Sequence, residues 1–156
     1  MDKEYMTPKG YKLLEESLSQ LMIDRKDTAH AIEEARMHGD LSENAEYHAA
    51  KERQGFIFGK IAEVEGKLAR AEVVDPTSLS GDRVVFASTV TILDCDTDKE
   101  QRFQIVGEDE ADFKQNKLSI KSPIVRGIIG HEVEDVCYVE LPGGEKEFEI
   151  LKVEFI

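Results

Sequence analysis

The two side chains best suited to chemistry are the carboxylates of Asp40 and Glu43, in the segment GDLSE at residues 39–43. This segment interrupts a long helical pattern, and it carries more acidic charge than a turn between helices requires. Mg²⁺ often takes one or two protein carboxylates and completes its octahedron with water and phosphate oxygens. Two carboxylates alone bind the ion weakly, so we expect this turn to act where a phosphate and other ligands are already in place.

The same residues also have a purely structural interpretation. Gly39 could end the first helix in a left-handed conformation. Asp40 could then cap the second helix with Glu43 completing a capping box, or Ser42 could be the cap. Acidic groups near a helix N-terminus are stabilised by the helix dipole, by about 0.3–1 kcal/mol each. Spacing alone therefore favours helix capping over metal binding.

Helical patterns flank the acidic turn on both sides. Thr7 can cap a helix and Pro8 suits its first position. Apolar positions then recur at alternating steps of three and four, which is a heptad seam. Two such seams joined by a short turn predict an antiparallel coiled-coil hairpin over residues 1–75, on the order of 45 Å long, with an acidic tip at 39–44. The seam residues are Tyr11, Leu14, Leu18, Leu21, Arg25, Thr28, Ile32 and Ala35 before the turn, and Tyr47, Ala50, Gln54, Ile57, Ile61, Val64, Leu68 and Ala71 after it.

Beyond Asp75 the apolar period changes to two. Runs rich in Val, Ile, Phe and Tyr alternate with charged residues and predict strands. The segment 142–144, Pro-Gly-Gly, is typical of a hairpin turn, and residues 122–130 fit a short helix capped by Ser122. The sequence thus predicts an α+β protein whose second domain, residues 80–156, is a small antiparallel β-sheet with a short helix.

Composition limits the functional classes. The chain has 156 residues and a formal net charge of −13, whereas general nucleic-acid and membrane-surface binders carry an excess of Lys and Arg. We therefore expect any nucleic acid to be met locally or through a partner. No secretory signal or membrane-spanning run is present, which favours a cytoplasmic protein with Cys95 and Cys137 as reduced thiols in strands.

Other possible motifs fail on spacing. The run GFIFGK at residues 55–60 has three residues between its glycines where a phosphate-binding loop needs four, and it lies within a helical pattern. The four histidines show no zinc-ligand spacing with each other or with the cysteines. No GxSxG nucleophile motif occurs.

Four segments together resemble the Gre family of bacterial transcript cleavage factors: MTPKG at 6–10, EARMHGDLSENAEYHAAKERQGF at 34–56, VGEDEADFKQNKLSIKSPIVRGIIG at 106–130 and PGGEKEFEILKVE at 142–154. The resemblance spans essentially the whole chain. It implies a coiled coil followed by a domain of FKBP-like topology that binds RNA polymerase. It also implies that the tip enters the polymerase secondary channel and stimulates endonucleolytic cleavage at the RNA 3′ end in backtracked complexes.

The resemblance assigns roles to individual residues. Asp40 would help to hold a second, weakly bound Mg²⁺ in the polymerase active site, and Glu43 would assist or orient the attacking water. The protein would be a monomer that donates these carboxylates and is not an enzyme by itself. The other roles expected at the turn are tip support by Gly39, Ser42, Asn44 and Tyr47 and RNA contact by Arg36 and Lys51, with Arg53 included because it lies near them. A separate hypothesis, not given by the resemblance, places polymerase docking at Ser122, Pro123, Arg126 and Gly127.

Several alternatives remain open from the sequence. Residues around Ser122 could simply pack on the sheet, and Tyr47 could pack in the seam or stack on a base. A stand-alone nuclease would need more metal ligands than two, and a prolyl isomerase would need an aromatic-lined pocket. A regulator of the same fold could occupy the channel without stimulating cleavage, or the rod could be a scaffold. Residues 1–74 carry a net charge of −4, which favours the less basic of the family's types.

Overall fold

The computed structural model describes residues 2–40 and 43–156. Contacts divide the chain into a helical unit, Lys12–Arg70, and a sheet unit, Met1–Tyr11 with Ala71–Ile156. The predicted α+β class is confirmed. The helices are α1 (Pro8–Arg36), α2 (Ala45–Ala69) and α3 (Pro123–Ile128), and the strands are β1 (Glu4–Met6), β2 (Ala71–Val73), β3 (Thr89–Asp94), β4 (Glu100–Val106), β5 (Lys117–Ser119), β6 (Val136–Leu141) and β7 (Gly144–Glu154).

The seam predicted for α2 is confirmed by burial. Ile57, Ile61 and Val64 are 4–7% exposed, whereas the residues between them lie in solvent. Tyr47, Ala50, Gln54 and Leu68 continue the same stripe and are half-buried. A single narrow stripe of this kind is what a two-helix hairpin can cover.

In α1 the seam departs from the prediction at one position. Leu14, Thr28 and Ala35 are buried as expected, but Arg25 is exposed and Asp24 is half-buried instead. An α-helix has 3.6 residues per turn and drifts from a strict heptad, so the stripe can move by one residue. The Thr28 hydroxyl donates to the Asp24 carbonyl oxygen at 2.8 Å, which satisfies this polar group within the seam.

The helical seam predicted to continue to Ala71 ends earlier. The Arg70 N–H donates to the carbonyl oxygens of Gly66 and Leu68 at the end of α2. Residues Ala71–Val73 then form β2, which pairs in parallel with β1 at the start of the chain. The helix stops here because the chain gains a strand partner more than sixty residues away in sequence, which no local periodicity reveals.

The main sheet has the strand order β5-β4-β3-β7-β6. The pairs β4–β3, β3–β7 and β7–β6 are antiparallel as predicted, while the short edge strand β5 is parallel to β4 and was not anticipated. Pro142 and Gly143 connect β6 to β7, as expected from their turn propensity. In the part of the chain that the structure describes, no helix is both long and apolar enough to cross a bilayer.

Helix α3 begins as its sequence predicts. The Ser122 side chain accepts a hydrogen bond from the Val125 N–H at 3.4 Å, and Pro123 occupies the first helical position. A Cβ atom at Gly127 would lie 2.5 Å from a Val139 methyl carbon, so a glycine is needed where α3 crosses β6. The core beneath comprises Val84, Phe86, Ala87, Val90, Ile92, Phe103, Ile105, Val125, Ile128, Cys137, Val139, Phe148 and Ile150.

The two cysteines occupy different environments. Cys137 is buried in β6, and burial together with the Asp135 carboxylate raises the pKa of its thiol. Cys95 is exposed in the turn after β3, so its predicted strand position is wrong. Strand β3 ends at Asp94, and the turn toward β4 begins with Cys95.

A carboxylate is buried in the sheet unit near the start of α1. Glu110 is 6% exposed, accepts a hydrogen bond from the Thr7 hydroxyl, and pairs with the Lys117 ammonium at 3.2 Å. The Thr7 hydroxyl also accepts from the Gly10 N–H at 3.1 Å, which confirms Thr7 as the cap of α1. A Cβ atom at Gly10 would lie 2.7 Å from a Glu110 oxygen, so the site requires glycine or a shifted glutamate.

Candidate functional site at the helical turn

The acidic turn begins where α1 tightens and ends. The N–H groups of Met37 and His38 donate to the carbonyl oxygens of Glu34 and Ala35, a closer spacing than in the regular α-helix. Gly39 follows with φ of +113°. Nothing lies within 4 Å of a Cβ atom built on Gly39, so a side chain would meet no steric clash there. Glycine is favoured at this position because of its positive φ.

Asn44 joins the two helices through its side-chain amide. Its Oδ1 accepts from the Tyr47 N–H at 3.1 Å, so Asn44 is the N-cap of α2. Its Nδ2 donates to the Ala35 carbonyl oxygen at 2.6 Å, which satisfies a group at the end of α1. One side chain thus holds both helix ends, and an amide can do so because it carries a donor and an acceptor.

This geometry corrects one expectation for Asp40 and Glu43. Because Asn44 caps α2, the expectation that Asp40 is the cap and Glu43 its capping-box partner is wrong. Glu43 directly precedes the cap and is exposed, as is Asp40. The N-cap of α2 is therefore Asn44, and neither carboxylate occupies that position. Ser42, proposed as a cap or tip support, lies outside the described residues, as does Leu41.

Asp40 and Glu43 line the same shallow depression, which has a volume of about 550 Å³. His38, Asn44, Ala45 and Glu46 complete its lining. In residues 2–40 and 43–156, no three His, Cys, Asp or Glu side chains gather as a metal site. Two carboxylates could contribute at most part of the coordination of a hydrated Mg²⁺, because this ion prefers oxygen ligands and keeps several waters.

The basic residues assigned to RNA contact lie on the exposed surfaces of the two helices. Arg36 ends α1, while Lys51 and Arg53 lie in the first half of α2. Lys51 Nζ donates to Gln54 Oε1 at 3.4 Å, an exposed contact. All three residues are exposed, so their charged groups are accessible to a phosphate without any rearrangement of the helices.

Tyr47 occupies the seam rather than the surface. It is half-buried, and its ring lies 5.6 Å from the His48 ring in an edge-on arrangement. Such a position supports the packing alternative, because stacking on a base needs an exposed ring face.

The four residues assigned to docking lie at α3. Ser122 and Gly127 have structural functions there, as the cap and as the glycine against Val139, while Pro123 and Arg126 are exposed. Beside α3 a groove of about 530 Å³ runs over Ile124, Leu141 and Phe148, with Phe113 75% exposed at its rim. This groove was not predicted from the sequence. Phe113, an aromatic residue in a charged loop, is the local sequence feature that could have indicated it.

Comparisons with known proteins extend over both units. The family model described as "Transcription elongation factor, N-terminal" matches residues 4–73, and the one described as "Transcription elongation factor, GreA/GreB, C-term" matches residues 79–155. A protein named Transcription elongation factor GreA from Phenylobacterium zucineum (strain HLK1) is 57% identical and aligned over the full length of both chains.

A curated relative of lower identity carries the same name. A protein of the same name from Yersinia pestis bv. Antiqua (strain Angola) is 52% identical over 97% of both chains. Among solved structures, Thermus aquaticus Gfh1 is 26% identical over 99% of both chains, with a TM-score of 0.46. The family models and the curated relatives confirm the resemblance found from the sequence: the chain belongs to the GreA/GreB family of transcription elongation factors.

Proposed function

We propose that the protein binds bacterial RNA polymerase in the cytoplasm, inserts its helical turn through the secondary channel and stimulates endonucleolytic cleavage of the RNA 3′ end. Cleavage would release backtracked, arrested complexes so that elongation resumes. One observation carries the proposal: Asp40 and Glu43 line the same depression at the exposed turn, while Asn44 caps α2. Membership of a transcription elongation family supports the polymerase as partner.

The helices supply the reach that such a function needs. α1 has 29 residues and α2 has 25. At 1.5 Å per residue, each spans on the order of 40 Å. The buried stripe is narrow, so the hairpin is thin for its length, and a thin rod suits entry into a channel.

The proposed chemistry is shared between the chain and the polymerase. Asp40 and Glu43 would hold Mg²⁺ jointly with polymerase groups, and the bound ion would stabilise the charge of the attacking and leaving oxygens. The chain itself does two things. It holds the two carboxylates at a fixed turn through Asn44, and it presents Arg36, Lys51 and Arg53 to the RNA phosphates. We infer that it is a donor of catalytic groups and not an enzyme by itself.

The sheet unit would provide the attachment. Residues 75–156 carry 18 acidic and 9 basic groups, a balance that suits a basic or apolar protein surface and opposes direct RNA binding. Pro123 and Arg126 are exposed on α3 beside the groove that contains Ile124 and Phe148. We place polymerase docking at this end of the unit, with Ser122 and Gly127 holding α3 in position.

The test is RNA cleavage in a purified, backtracked bacterial elongation complex with Mg²⁺. Wild-type protein should shorten the RNA from its 3′ end. Asp40→Asn and Glu43→Gln keep the side-chain shape but remove the charge, so each should slow cleavage by about a hundredfold. Glu46→Gln, in the same depression but within α2, is the matched control and should cleave nearly as well as wild type.

Three further measurements separate the alternatives. Competition with wild type should show that the Asp40 and Glu43 variants still bind polymerase. Free RNA should survive incubation with the protein, whereas a stand-alone nuclease would degrade it. If the variants cleave at the wild-type rate, the delivered carboxylates are not the chemistry. If wild type binds and blocks synthesis without cleavage, the protein is a channel-occupying regulator instead.

A further inference from the structure

We propose that the outer edge of β6 is a second docking site, at which an extended, basic segment of a partner protein adds a strand to the sheet. β6 is the last strand in the order β5-β4-β3-β7-β6 and pairs on one side only, with β7. Its six residues, Val136–Leu141, contain neither lysine nor proline, the residues that commonly protect a sheet edge from pairing.

The hydrogen-bond pattern identifies the groups at the open edge. The Ile150 N–H donates to the Asp135 carbonyl oxygen at 2.9 Å, and Cys137 lies opposite Phe148. Because antiparallel bonds alternate, the main chains of Cys137 and Val139 face β7. Those of Val136, Tyr138 and Glu140 face outward, and in the described part of the chain no other residue bonds to them.

The side chains beside this edge are apolar and acidic. Tyr138 is 64% exposed and Val136 is 44% exposed, whereas Cys137 and Val139 are buried in the core. On the same face, Tyr138 lies opposite Glu147, Val136 opposite Glu149 and Glu140 opposite Glu145. No ion pair involves these four carboxylates within the described residues. Like charges directly opposite each other destabilise a sheet. A cation bound beside Glu140 and Glu145 would therefore relieve the repulsion between their carboxylates.

The charge pattern selects the occupant. A second copy of this chain, with a net charge of −13, would bring its own glutamates to the same face. A strand carrying lysine or arginine at alternate positions would neutralise Glu140 and Glu147 and lay its aliphatic stems and cations on the Tyr138 ring. Main-chain bonds to the open edge would supply affinity, and the alternate side chains would supply specificity.

The test uses the full chain and a blocked peptide that alternates lysine and valine. In amide NMR spectra of isotope-labelled protein, the peptide should shift the signals of Val136, Tyr138 and Glu140 and slow the hydrogen exchange of these amides. A peptide with the same side chains but N-methylated main-chain amides cannot pair as a strand, so its affinity should be lower by about tenfold at least. A glutamate–valine peptide should not bind.

Two charge reversals complete the test. Glu147→Lys should weaken binding of the lysine–valine peptide severalfold. Glu100→Lys, on β4, makes the same charge change away from the edge and should weaken it far less. Strand addition is overturned if the N-methylated peptide binds as well as the parent peptide, or if the two reversals act equally. Concentration-dependent dimerisation of the free chain with protection of the same three amides would identify a second copy as the occupant and overturn the basic partner.

Discussion

The helical unit and the sheet unit are stabilised in different ways. Among the described residues of the helical unit (12–40 and 43–70), the buried hydrophobic side chains are Leu14, Ala35, Ile57, Ile61 and Val64, and they form one stripe. The sheet unit contains a contiguous core of thirteen buried residues beneath α3. The hairpin therefore depends on a narrow seam and the Asn44 bridge, while the sheet unit depends on a contiguous core.

This difference suits the functions proposed for the two units. A thin hairpin leaves almost every residue near its turn in solvent, so Asp40 and Glu43 need no buried pocket to be presented. The sheet unit also buries a carboxylate, Glu110, beside Thr7 and Lys117. The helical unit, with the proposed chemistry, has few buried side chains, and the sheet unit, proposed to dock, contains most of them.

The largest contrast is expected from matched core truncations. Ile105→Ala in the sheet unit removes a fully buried side chain from a rigid core and should cost about 4 kcal/mol of unfolding free energy. Ile57→Ala in the hairpin, where half-buried neighbours can close the gap, should cost about 2 kcal/mol. Urea unfolding followed separately in each unit by hydrogen exchange measures both values. Equal costs would contradict the contrast between a thin seam and a thick core.

A smaller effect should come from the buried carboxylate. Glu110→Ala leaves the Lys117 ammonium and the Thr7 hydroxyl without this partner in a buried site, so the sheet unit should lose about 3 kcal/mol. Glu108→Ala, two residues away, removes a mostly exposed pair with Lys121 and should cost less than about 1 kcal/mol. Thermal unfolding of both variants gives the comparison. Similar losses of stability would show that the buried Glu110–Lys117 pair contributes no more than the exposed Glu108–Lys121 pair.

The smallest effect is expected at the turn. Asn44→Ala removes the cap and the bridge, and it should cost about 1 kcal/mol and speed exchange of the Tyr47 amide. Asn44→Asp keeps an acceptor for Tyr47 but cannot donate to the Ala35 carbonyl oxygen. It should therefore preserve Tyr47 protection while loosening the end of α1. If Asn44→Asp leaves exchange at residues 35–39 unchanged, the bridge between the helices does not hold the turn.

Much of the local structure follows from the sequence because its causes are local. The three-and-four spacing predicted the burial of Ile57, Ile61 and Val64, and Ser122 with Pro123 predicted the start of α3. The Pro142–Gly143 turn was likewise predicted from the two residues themselves. Each signal lies within a few residues of the feature that it specifies.

Other features could not be found in this way. β1 and β2 are three residues each, too short for a period, and they exist because they pair with each other. Several polar residues near 40–44 are equally good caps by type, and only the path of the chain selects Asn44. The burial of Glu110 likewise needs Thr7 and Lys117, which are brought to it from separate segments.

The sequence alone determined the family, the two-part α+β architecture and the pair of carboxylates in the helical turn, because residue type and short-range spacing specify these. The tertiary structure decided that Asn44 and not Asp40 caps α2. It also decided that β6 is an open edge and that Glu110 is buried. These are questions of which distant groups meet, and neither hydrophobic periodicity nor capping preference contains that information.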